Sequence, residues 1–429
     1  MNKRFSGILT LPVLIGGLAL PAFLPAGESP DSVSATAASS HTQQNSSQWA
    51  RWLLTQVQSL PSFQALEKST LVAEQQKLAL EQPVYNPEIG ATYIDREKGD
   101  EEYDFILSQT IDLFDKRSAN AGLGQVEYEM AELNKLMETE NRLAEALMAF
   151  IEYSMSRKLL DVSSSQEKLL TRLSADLSRR EKAGDVGRVD AEMAYLSLSQ
   201  NLQQISLTEI RFRKAKARLK QAINSSSLKF TPDNSVWLNK IDAKALAESL
   251  DNGFRIKQAQ KQLEQAQSQS NIARLNKKVN PTIGLGAGRD SGEDTITFEI
   301  SVPLNVRNNF SAQYNAALHK VNQSEFELEE QKRRLKNDME QSYNNYLQLK
   351  SRVVNWQKLT AKRLSNSQTL LNRQWQSGDI STSDYLFALR QRTDALISTI
   401  ELNGEMQKAW VEWLQASSQV QKWLSSLSH

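Results

Sequence analysis

The sequence predicts a mainly α-helical protein with a small β part, in which long antiparallel helical hairpins alternate with two short β-hairpins. Three observations predict this fold. Residues 311–376 run for 66 positions without glycine or proline, and as one helix they would be roughly 100 Å long. Residues 125–183 form a second such stretch. Landmarks of the first half recur about 194 residues later, as Asn86-Pro87 does at Asn280-Pro281, which indicates an internal duplication.

The apolar residues of the 311–376 segment follow a heptad pattern typical of a coiled-coil seam. Apolar residues recur every seven positions, with Ser342 as the one gap, and further apolar residues lie four positions after members of this series. Together they form the seam Tyr314, Val321, Leu328, Leu335, Leu349, Trp356, Leu318, Met339, Tyr346 and Val353. Charged and amide residues fill the positions between them. A solitary coiled-coil rod would show the same pattern, so this segment alone does not distinguish the two architectures.

The composition excludes several classes of function. The 51 basic and 50 acidic residues nearly cancel, which gives no reason to expect a nucleic-acid partner. The chain has no cysteine, which removes disulfides, thiolate chemistry and cysteine-metal sites. Its three histidines, His41, His319 and His429, are far apart in sequence. No catalytic constellation is visible, so we expect neither an enzyme nor a cofactor nor a bound metal.

The N-terminus is typical of a secretory signal peptide over residues 1–37. Lys3 and Arg4 precede an apolar run that prolines and glycines interrupt, and a small-residue site follows at residues 35–37. These features favour a cleaved signal over a membrane span. No later segment offers about 20 uninterrupted apolar residues, so any membrane crossing after cleavage must be made by strands.

Each Asn-Pro pair is followed by a hairpin pattern. The predicted strands are 89–95 and 103–111 around the turn Lys98-Gly99-Asp100, and 282–289 and 295–302 around 290–292. The later strand of each pair alternates apolar and polar residues. A soluble half-buried sheet would alternate in the same way, but the signal peptide and the long rods favour a membrane barrel with a wet interior. Four strands cannot close such a barrel, so several chains must contribute.

Glycines reverse each long helix, at Gly184 and at Gly378. The returning limbs are predicted over 188–224 and 384–423; the first is interrupted at 225–239, has a short helix near 243–250 and resumes over 254–277.

The resulting organisation is a signal peptide (1–37), a polar linker and helix start (38–61), an N-terminal helix completing the second repeat (62–85), β-hairpin 1 (86–113), long helices with tip turn 1 (114–224), an equatorial segment with an ascending helix (225–279), β-hairpin 2 (280–304), long helices with tip turn 2 (305–423) and a C-terminal tail (424–429).

With these elements placed, the chain resembles the TolC family of outer-membrane efflux proteins. The likeness rests on the two Asn-Pro hairpins, the hairpin-to-helix junctions at 110–114 and 302–305, and the two turns with a glycine six residues before an aspartate. The Val302-Pro303-Leu304 junction is similar to the CzcC-like branch that serves heavy-metal exporters. The resemblance implies a homotrimer, with a 12-stranded β-barrel in outer-membrane lipid and a 12-helix periplasmic α-barrel.

The implied function is the exit duct of a tripartite efflux system or a type I secretion system, conducting metal cations or small toxic compounds. The implied partners are a periplasmic membrane-fusion adaptor and an inner-membrane pump of the RND or ABC type. Many relatives carry a lipid on a first mature cysteine; this chain has no cysteine, so we expect the barrel alone to anchor it. The alternative is a periplasmic coiled-coil adaptor or scaffold without a pore, which would use the same rods and signal peptide.

Candidate functional residues follow from the turns. The tip turns expected to dock the adaptor contain Gly184, Asp185, Val186, Arg188, Gly378, Asp379, Ile380 and Thr382. Asp190 and Asp384 are candidate gate residues, which would form rings of like charge that favour cations; both could instead be helix N-caps. Where the family often has a second acid, this chain has Phe387, which suggests a single acidic or a hydrophobic constriction.

Overall fold

The computed structural model describes residues 45–95, 97, 101–184, 187–225, 227–238 and 252–428. Helices in this part are α1 (45–58), α2 (Pro61–Glu81), α3 (Lys116–Ala183), α4 (Arg188–Ile223), α5 (Phe254–Asn276), α6 (Ser311–Gln376), α7 (Thr382–Ala416) and α8 (Val420–Ser428). Strands are β1 (Glu88–Ile94), β2 (Glu102–Thr110), β3 (Thr282–Asp290) and β4 (Glu293–Ser301). The predicted signal peptide, the turn at 98–100 and the short helix near 243–250 lie outside the described residues.

The two long helices confirm the predicted rods. α3 has 68 residues and α6 has 66, so each is roughly 100 Å long. α3 begins at Lys116, earlier than the predicted residue 125, because two glycines lie inside it. Gly124 is buried against α2, where an added Cβ would come within 3.1 Å of the Lys77 Cα. The glycine is therefore a site of close helix packing. Within the described residues, no helix combines the length and apolarity that a membrane span requires.

The helices pack side by side in one layer, in which α3 is second and α6 is last at both levels. Near the sheet, neighbouring helices pack in the order α2, α3, α5, α6. Farther from the sheet, the order is α4, α3, α7, α6. The seam predicted on α6 is buried at its centre, where Leu335, Met339, Tyr346 and Val353 are at most 2% exposed. Ser342, the gap in that seam, is also buried and donates its hydroxyl to the Met339 carbonyl at 3.1 Å, which removes the cost of burying an unpaired polar group.

The main core lies where the helices near the sheet meet the helices farther from the sheet. Its centre is a cluster of aromatic rings: Trp49, Phe150, Trp237, Trp410 and Trp423. Trp49 packs edge-on against Trp237 and Trp423, with ring centroids 5.7 and 6.3 Å apart. Buried aromatic side chains contribute large apolar areas, and tilted pairs are a favoured geometry. Residues from α1, α3, α7 and α8 thus share one core.

Both chain ends of the described part differ from the sequence prediction. The segment expected to be a polar linker and helix start over 38–61 is already helical from residue 45, and its Trp49 and Leu53 are fully buried. The returning limb expected to reach residue 423 ends at Ala416, where Ser418 has a φ of 57°. The chain then continues as α8, not as a C-terminal tail. The amphipathic pattern was short at both ends, and packing into the shared core stabilises these helices.

A buried carboxylate fixes the start of α8. Glu140 of α3 accepts hydrogen bonds from the backbone N–H groups of Val420, at 2.7 Å, and Gln421, at 3.1 Å. These donors are among the N–H groups that a helix leaves unpaired at its N-terminus. Burial raises the pKa of Glu140, and the two N–H groups act in the opposite direction. Glu140 therefore caps a helix that lies 280 residues farther along the chain.

An ion-pair network ties three helices together beside this core. The Glu152 carboxylate on α3 lies 3.1 Å from Arg211 Nε on α4 and 2.9 Å from Lys408 Nζ on α7. Arg211 also pairs with Glu401 at 3.0 Å. Burial alone would raise the pKa of Glu152, but the hydrogen bonds and charges of Lys408 and Arg211 outweigh it and lower the pKa. The network holds α3 between α4 and α7.

The four strands form one antiparallel sheet in the order β1-β2-β3-β4. In this register, Ile89, Leu107, Leu285 and Phe298 form one row across the sheet, and Ala91, Phe105, Ala287 and Ile296 form the next row. Most of this face is uncovered: Ile296 is 89% exposed and Ile89 is 81% exposed. The opposite face carries Thr, Ser, acidic side chains, glycines and Ile106. The predicted alternation is confirmed, and the observed strand limits differ from the predicted ones by one or two residues.

We expect the Glu152 network to stabilise the fold only when its carboxylate is ionised. Since the folded-state pKa is lowered, the stabilisation is complete above the ordinary value of 4.5 and is lost as pH falls through the folded pKa. Glu152→Gln should lower the free energy of unfolding by roughly 2 kcal/mol at pH 7, the scale of charged hydrogen bonds. Urea unfolding at pH 7 and in acid measures the difference from wild type, which should shrink in acid.

The matched control is Glu145→Gln on the same helix. The Glu145 side chain is 67% exposed beside Arg142, and exposed pairs contribute little. If Glu152→Gln lowered the free energy of unfolding by the same amount at every pH, the stabilisation would not depend on the ionised carboxylate, and the prediction would be contradicted.

Candidate functional site

The two helix reversals lie at the end of the molecule opposite the sheet and contact each other. Gly184 follows α3 and Gly378 follows α6, both with a φ of 81°, a conformation that glycine adopts without strain. The Ser383 hydroxyl of the second turn donates to the Asp190 carboxylate of the first at 3.1 Å. We call this region the tip, comprising the described residues of 169–198 and 371–389.

Both candidate gate aspartates occupy the third helical position of a returning helix. The N-caps are Gly187 before α4 and Ser381 before α7, so the expectation that the aspartates are themselves N-caps was wrong. The Ser381 hydroxyl accepts from the Asp384 N–H at 3.1 Å and donates to its carboxylate at 2.7 Å. This is a reciprocal cap at a helix end that favours negative charge. Asp384 remains exposed.

An apolar core lies directly behind the turns. Trp375 stacks on Tyr385 with centroids 5.1 Å apart and planes at 9°, and the Arg180 guanidinium of the first repeat lies 4.9 Å from the Trp375 ring centroid. Leucines of α3 and α7 complete this core. Burial raises the pKa of Tyr385. The contacts link the two repeats, so the tip of one chain is a single packed unit.

The structure divides the residues expected to dock a partner into two groups. Gly184, Arg188, Gly378 and Asp379 are exposed. Ile380 packs against the tip core, and the Thr382 hydroxyl accepts from Trp375 Nε1 at 3.2 Å, so these two side chains are half-buried. Asp185 and Val186 lie outside the described residues. Phe387 is 63% exposed one turn after Asp384.

The second candidate region is the junction between the sheet and the helices, where Asn280 is the central residue. Asn280 is only 4% exposed. Its amide N–H₂ donates to the Asp112 carboxylate at 3.2 Å and to the Tyr85 hydroxyl at 3.3 Å, and its carbonyl accepts from the Leu113 N–H at 3.3 Å. A single side chain thereby ties both strand pairs to the start of α3.

The duplicated Asn-Pro pairs have diverged in role. Asn86, the counterpart of Asn280, is exposed, as is Pro87. Pro281 accepts a hydrogen bond through its carbonyl from the Ile111 N–H at 2.9 Å. The sequence predicted equal strand-entry roles, whereas the structure gives the buried hydrogen-bond centre to the second copy, because only Asn280 lies between two strand pairs.

Sequence reasoning missed the Trp375–Tyr385 stack and its Arg180 partner. A repeat comparison could not have found them, since Glu181 and Ala191 occupy the matching positions of the first copy. The available signal was local: a Trp lies three residues before Gly378 and a Tyr lies seven residues after it. Two apolar aromatic residues so placed predict contact across a helix reversal.

Comparisons with known proteins agree with this geometry. Residues 245–417 match the sequence model of a family described as "Outer membrane efflux protein". The fold is that of solved outer-membrane channels: CmeC of Campylobacter jejuni (TM-score 0.73, 11% identity, 88% of each chain) and MtrE of Neisseria gonorrhoeae in its open state (0.69, 14%, 86% of this chain and 88% of that chain). CusC gives 0.70 at 15% identity, over 86% of this chain and 92% of that chain. No curated protein sequence matches the chain significantly.

The diverged asparagines provide a matched pair of variants. Asn280→Ala should leave Asp112, Tyr85 and the Leu113 N–H without their partner, a loss of about 1–3 kcal/mol for buried polar groups. Hydrogen exchange of the peptide spanning residues 111–118 should then be roughly tenfold faster or more. Asn86→Ala, at the equivalent exposed position, should leave the exchange unchanged; equal effects of the two substitutions would refute the central role of Asn280.

Proposed function

We propose, from the match of residues 245–417 to the outer membrane efflux protein family and the channel fold of the described chain, that this protein is the outer-membrane exit duct of an efflux system. In this proposal three copies assemble. Each gives its four strands to one closed sheet in the outer membrane and its helices to a tube in the periplasm.

The observation that carries the proposal is the uncovered apolar face of the sheet. The side chains of Ile89, Phe105, Leu285, Ile296 and Phe298 are 59–89% exposed. A contiguous apolar patch of this extent on a water-facing sheet would be an aggregation site. Lipid covers it at no such cost, and the polar opposite face then lines an aqueous interior.

The edges of one chain support closure by further copies. β1 and β4 are the two edges of the sheet, and backbone groups at an open edge cannot be satisfied in lipid. On the β1 side, the outer helices are α2 and α4; on the β4 side, the outer helix is α6 at both levels. The stripe on α4 consists of exposed apolar residues at helical spacing: Val189, Met193, Leu196, Leu207 and Ile210. These residues would pack against α6 of the next copy.

Three is the smallest number of copies that would leave an open lumen, and we therefore propose a trimer. Two copies would give eight strands, and a barrel of about that size is filled by its own side chains. Three copies give twelve strands and leave a lumen. The proposed homotrimer would work with a periplasmic adaptor and an inner-membrane pump, and metal cations or small toxic compounds are the proposed cargo.

The tip supplies the proposed constriction. In a trimer, Asp190 and Asp384 appear three times each, and the hydrogen bond from Ser383 to Asp190 keeps the two carboxylates at one level. Rings of carboxylates favour cations. Phe387 follows one turn on, so an apolar ring lies next to the acidic ones. The alternative of a pore-free periplasmic scaffold leaves the apolar face of the sheet without an occupant.

Planar-bilayer recordings of the purified protein test the channel. We expect conductance through particles that run as heat-modifiable trimers, and a reversal potential in a KCl gradient that indicates cation preference. Asp384→Asn should lower the cation-to-anion permeability ratio severalfold by neutralising one charge ring. Asp379→Asn is the control, because Asp379 lies in the same turn and accepts from Ser377 at 2.6 Å. Absence of conductance would refute the channel, and unchanged selectivity of Asp384→Asn would refute the gate.

Photocrosslinking tests docking at the tip. A crosslinking residue placed at Arg188 or Asp379, both exposed in the turns, should capture a co-expressed periplasmic adaptor. The control position is Lys332, exposed in the middle of α6. Capture at Lys332 but not at the tip would place the adaptor along the tube instead.

A further inference from the structure

A ring of cations and aromatic residues surrounds the junction between the sheet and the helices. We define the junction collar as Phe114, Lys116, Lys277, Lys278 and Tyr314. Lys116 Nζ donates to the Lys278 carbonyl at 3.1 Å, Lys278 Nζ lies 5.8 Å from the Phe114 ring centroid, and Lys277 Nζ lies 5.2 Å from the Tyr314 ring centroid. Two chain segments thus supply the cations, and the third supplies the ring of Tyr314.

The collar cations have no acidic partner within the described residues. Neither Lys116 nor Lys277 nor Lys278 forms an ion pair there, and Lys277 and Lys278 are exposed. At the junction, the Asp112 carboxylate is occupied: it accepts from the Arg117 N–H at 2.9 Å and from the Asn280 amide at 3.2 Å. An ammonium group has three donors, so the lysines keep donors that can bind a further acceptor.

The position of the collar relative to the apolar face identifies the medium around it. The outward rows of the sheet end toward the helices at Ile283 and Ile300, which are 39% and 61% exposed. Directly beyond them, Leu113, Leu304 and Val306 are 61%, 77% and 84% exposed. Apolar side chains followed at once by aromatic rings and lysines are typical of a membrane–water interface, where cations reach the headgroups from apolar stems.

We propose that the junction collar binds the anionic headgroups of phospholipids in the periplasm-facing leaflet of the outer membrane. This inference rests on the proposed function, because it requires the apolar face to lie in lipid. Phosphate oxygens would accept from Lys116 and Lys278, while Phe114 and Tyr314 pack at the level of the glycerol backbone. Polybasic surfaces next to a bilayer attract anionic lipid through charge complementarity. The proposed trimer repeats the collar three times, which would fix the depth of the barrel in the membrane.

The test compares lipid retention between variants. Wild-type protein in nanodiscs of equal phosphatidylglycerol and phosphatidylcholine is transferred to detergent, and the lipids that stay bound are counted by mass spectrometry. We expect the wild-type protein to retain phosphatidylglycerol in preference to phosphatidylcholine. The triple variant Lys116→Gln, Lys277→Gln, Lys278→Gln should lose this preference by at least about tenfold, since each lysine near an anionic surface contributes about a fivefold factor in affinity.

A matched control carries Lys214→Gln, Lys216→Gln and Lys220→Gln, three exposed lysines on α4, and should retain lipid as wild type does. Equal retention by the collar variant and wild type, or equal loss in the α4 control, would overturn the proposal. Conductance of the collar variant in pure phosphatidylcholine separates the two hypotheses. A conducting variant without lipid preference supports the collar, whereas a wild-type protein that does not conduct refutes the channel itself.

Discussion

The constraint on which the rest of the structure depends is the unfinished sheet. Four antiparallel strands leave backbone hydrogen-bonding groups unpaired along β1 and β4 and leave one face apolar and uncovered. Lipid removes the cost of the exposed face but increases the cost of the open edges, since no water is available there. In the proposed assembly, identical chains close the sheet, which would meet the two requirements together. The helical layer has the same number of elements at each level, so one closure would serve both strands and helices.

The core between the helices near the sheet and those farther from it holds the layer in the shape that closure needs. A narrow, repetitive apolar seam does not fix the lengthwise position of one long helix relative to the next. Aromatic packing at one level fixes that position. Trp49 and Trp423, from the two ends of the described chain, meet Trp237 in this cluster. Glu140 and Glu152 on α3 add polar contacts of fixed geometry on either side. The two ends of the described chain therefore pack in the same region where helices of both repeats are joined.

Duplication produced two similar halves that now perform different tasks. At the tip, Gly187 and Ser381 are equivalent N-caps, but only the serine bonds its aspartate through a side chain. The second repeat also carries Trp375 and Tyr385, which have no aromatic counterpart in the first. At the junction, Asn280 has the buried role and Asn86 is exposed. The repeats are joined at the tip by the hydrogen bond from Ser383 to Asp190 and at the junction by the hydrogen bonds of Asn280.

The sequence by itself determined the element types, the repeat, the sites of chain reversal and the alternating faces of the strands. These features depend on local periodicity and on residues such as Gly184 and Gly378, whose backbone conformation few other residues adopt. Only the tertiary structure decided the roles of Gly124, Asn280 and Glu140. Each of them acts on a partner far away in sequence, and neither hydrophobic spacing nor residue propensity specifies which distant segment will be that partner. The helices at 45–58 and 420–428 belong to the same class, because they are too short to be stable alone and exist through the core that they complete.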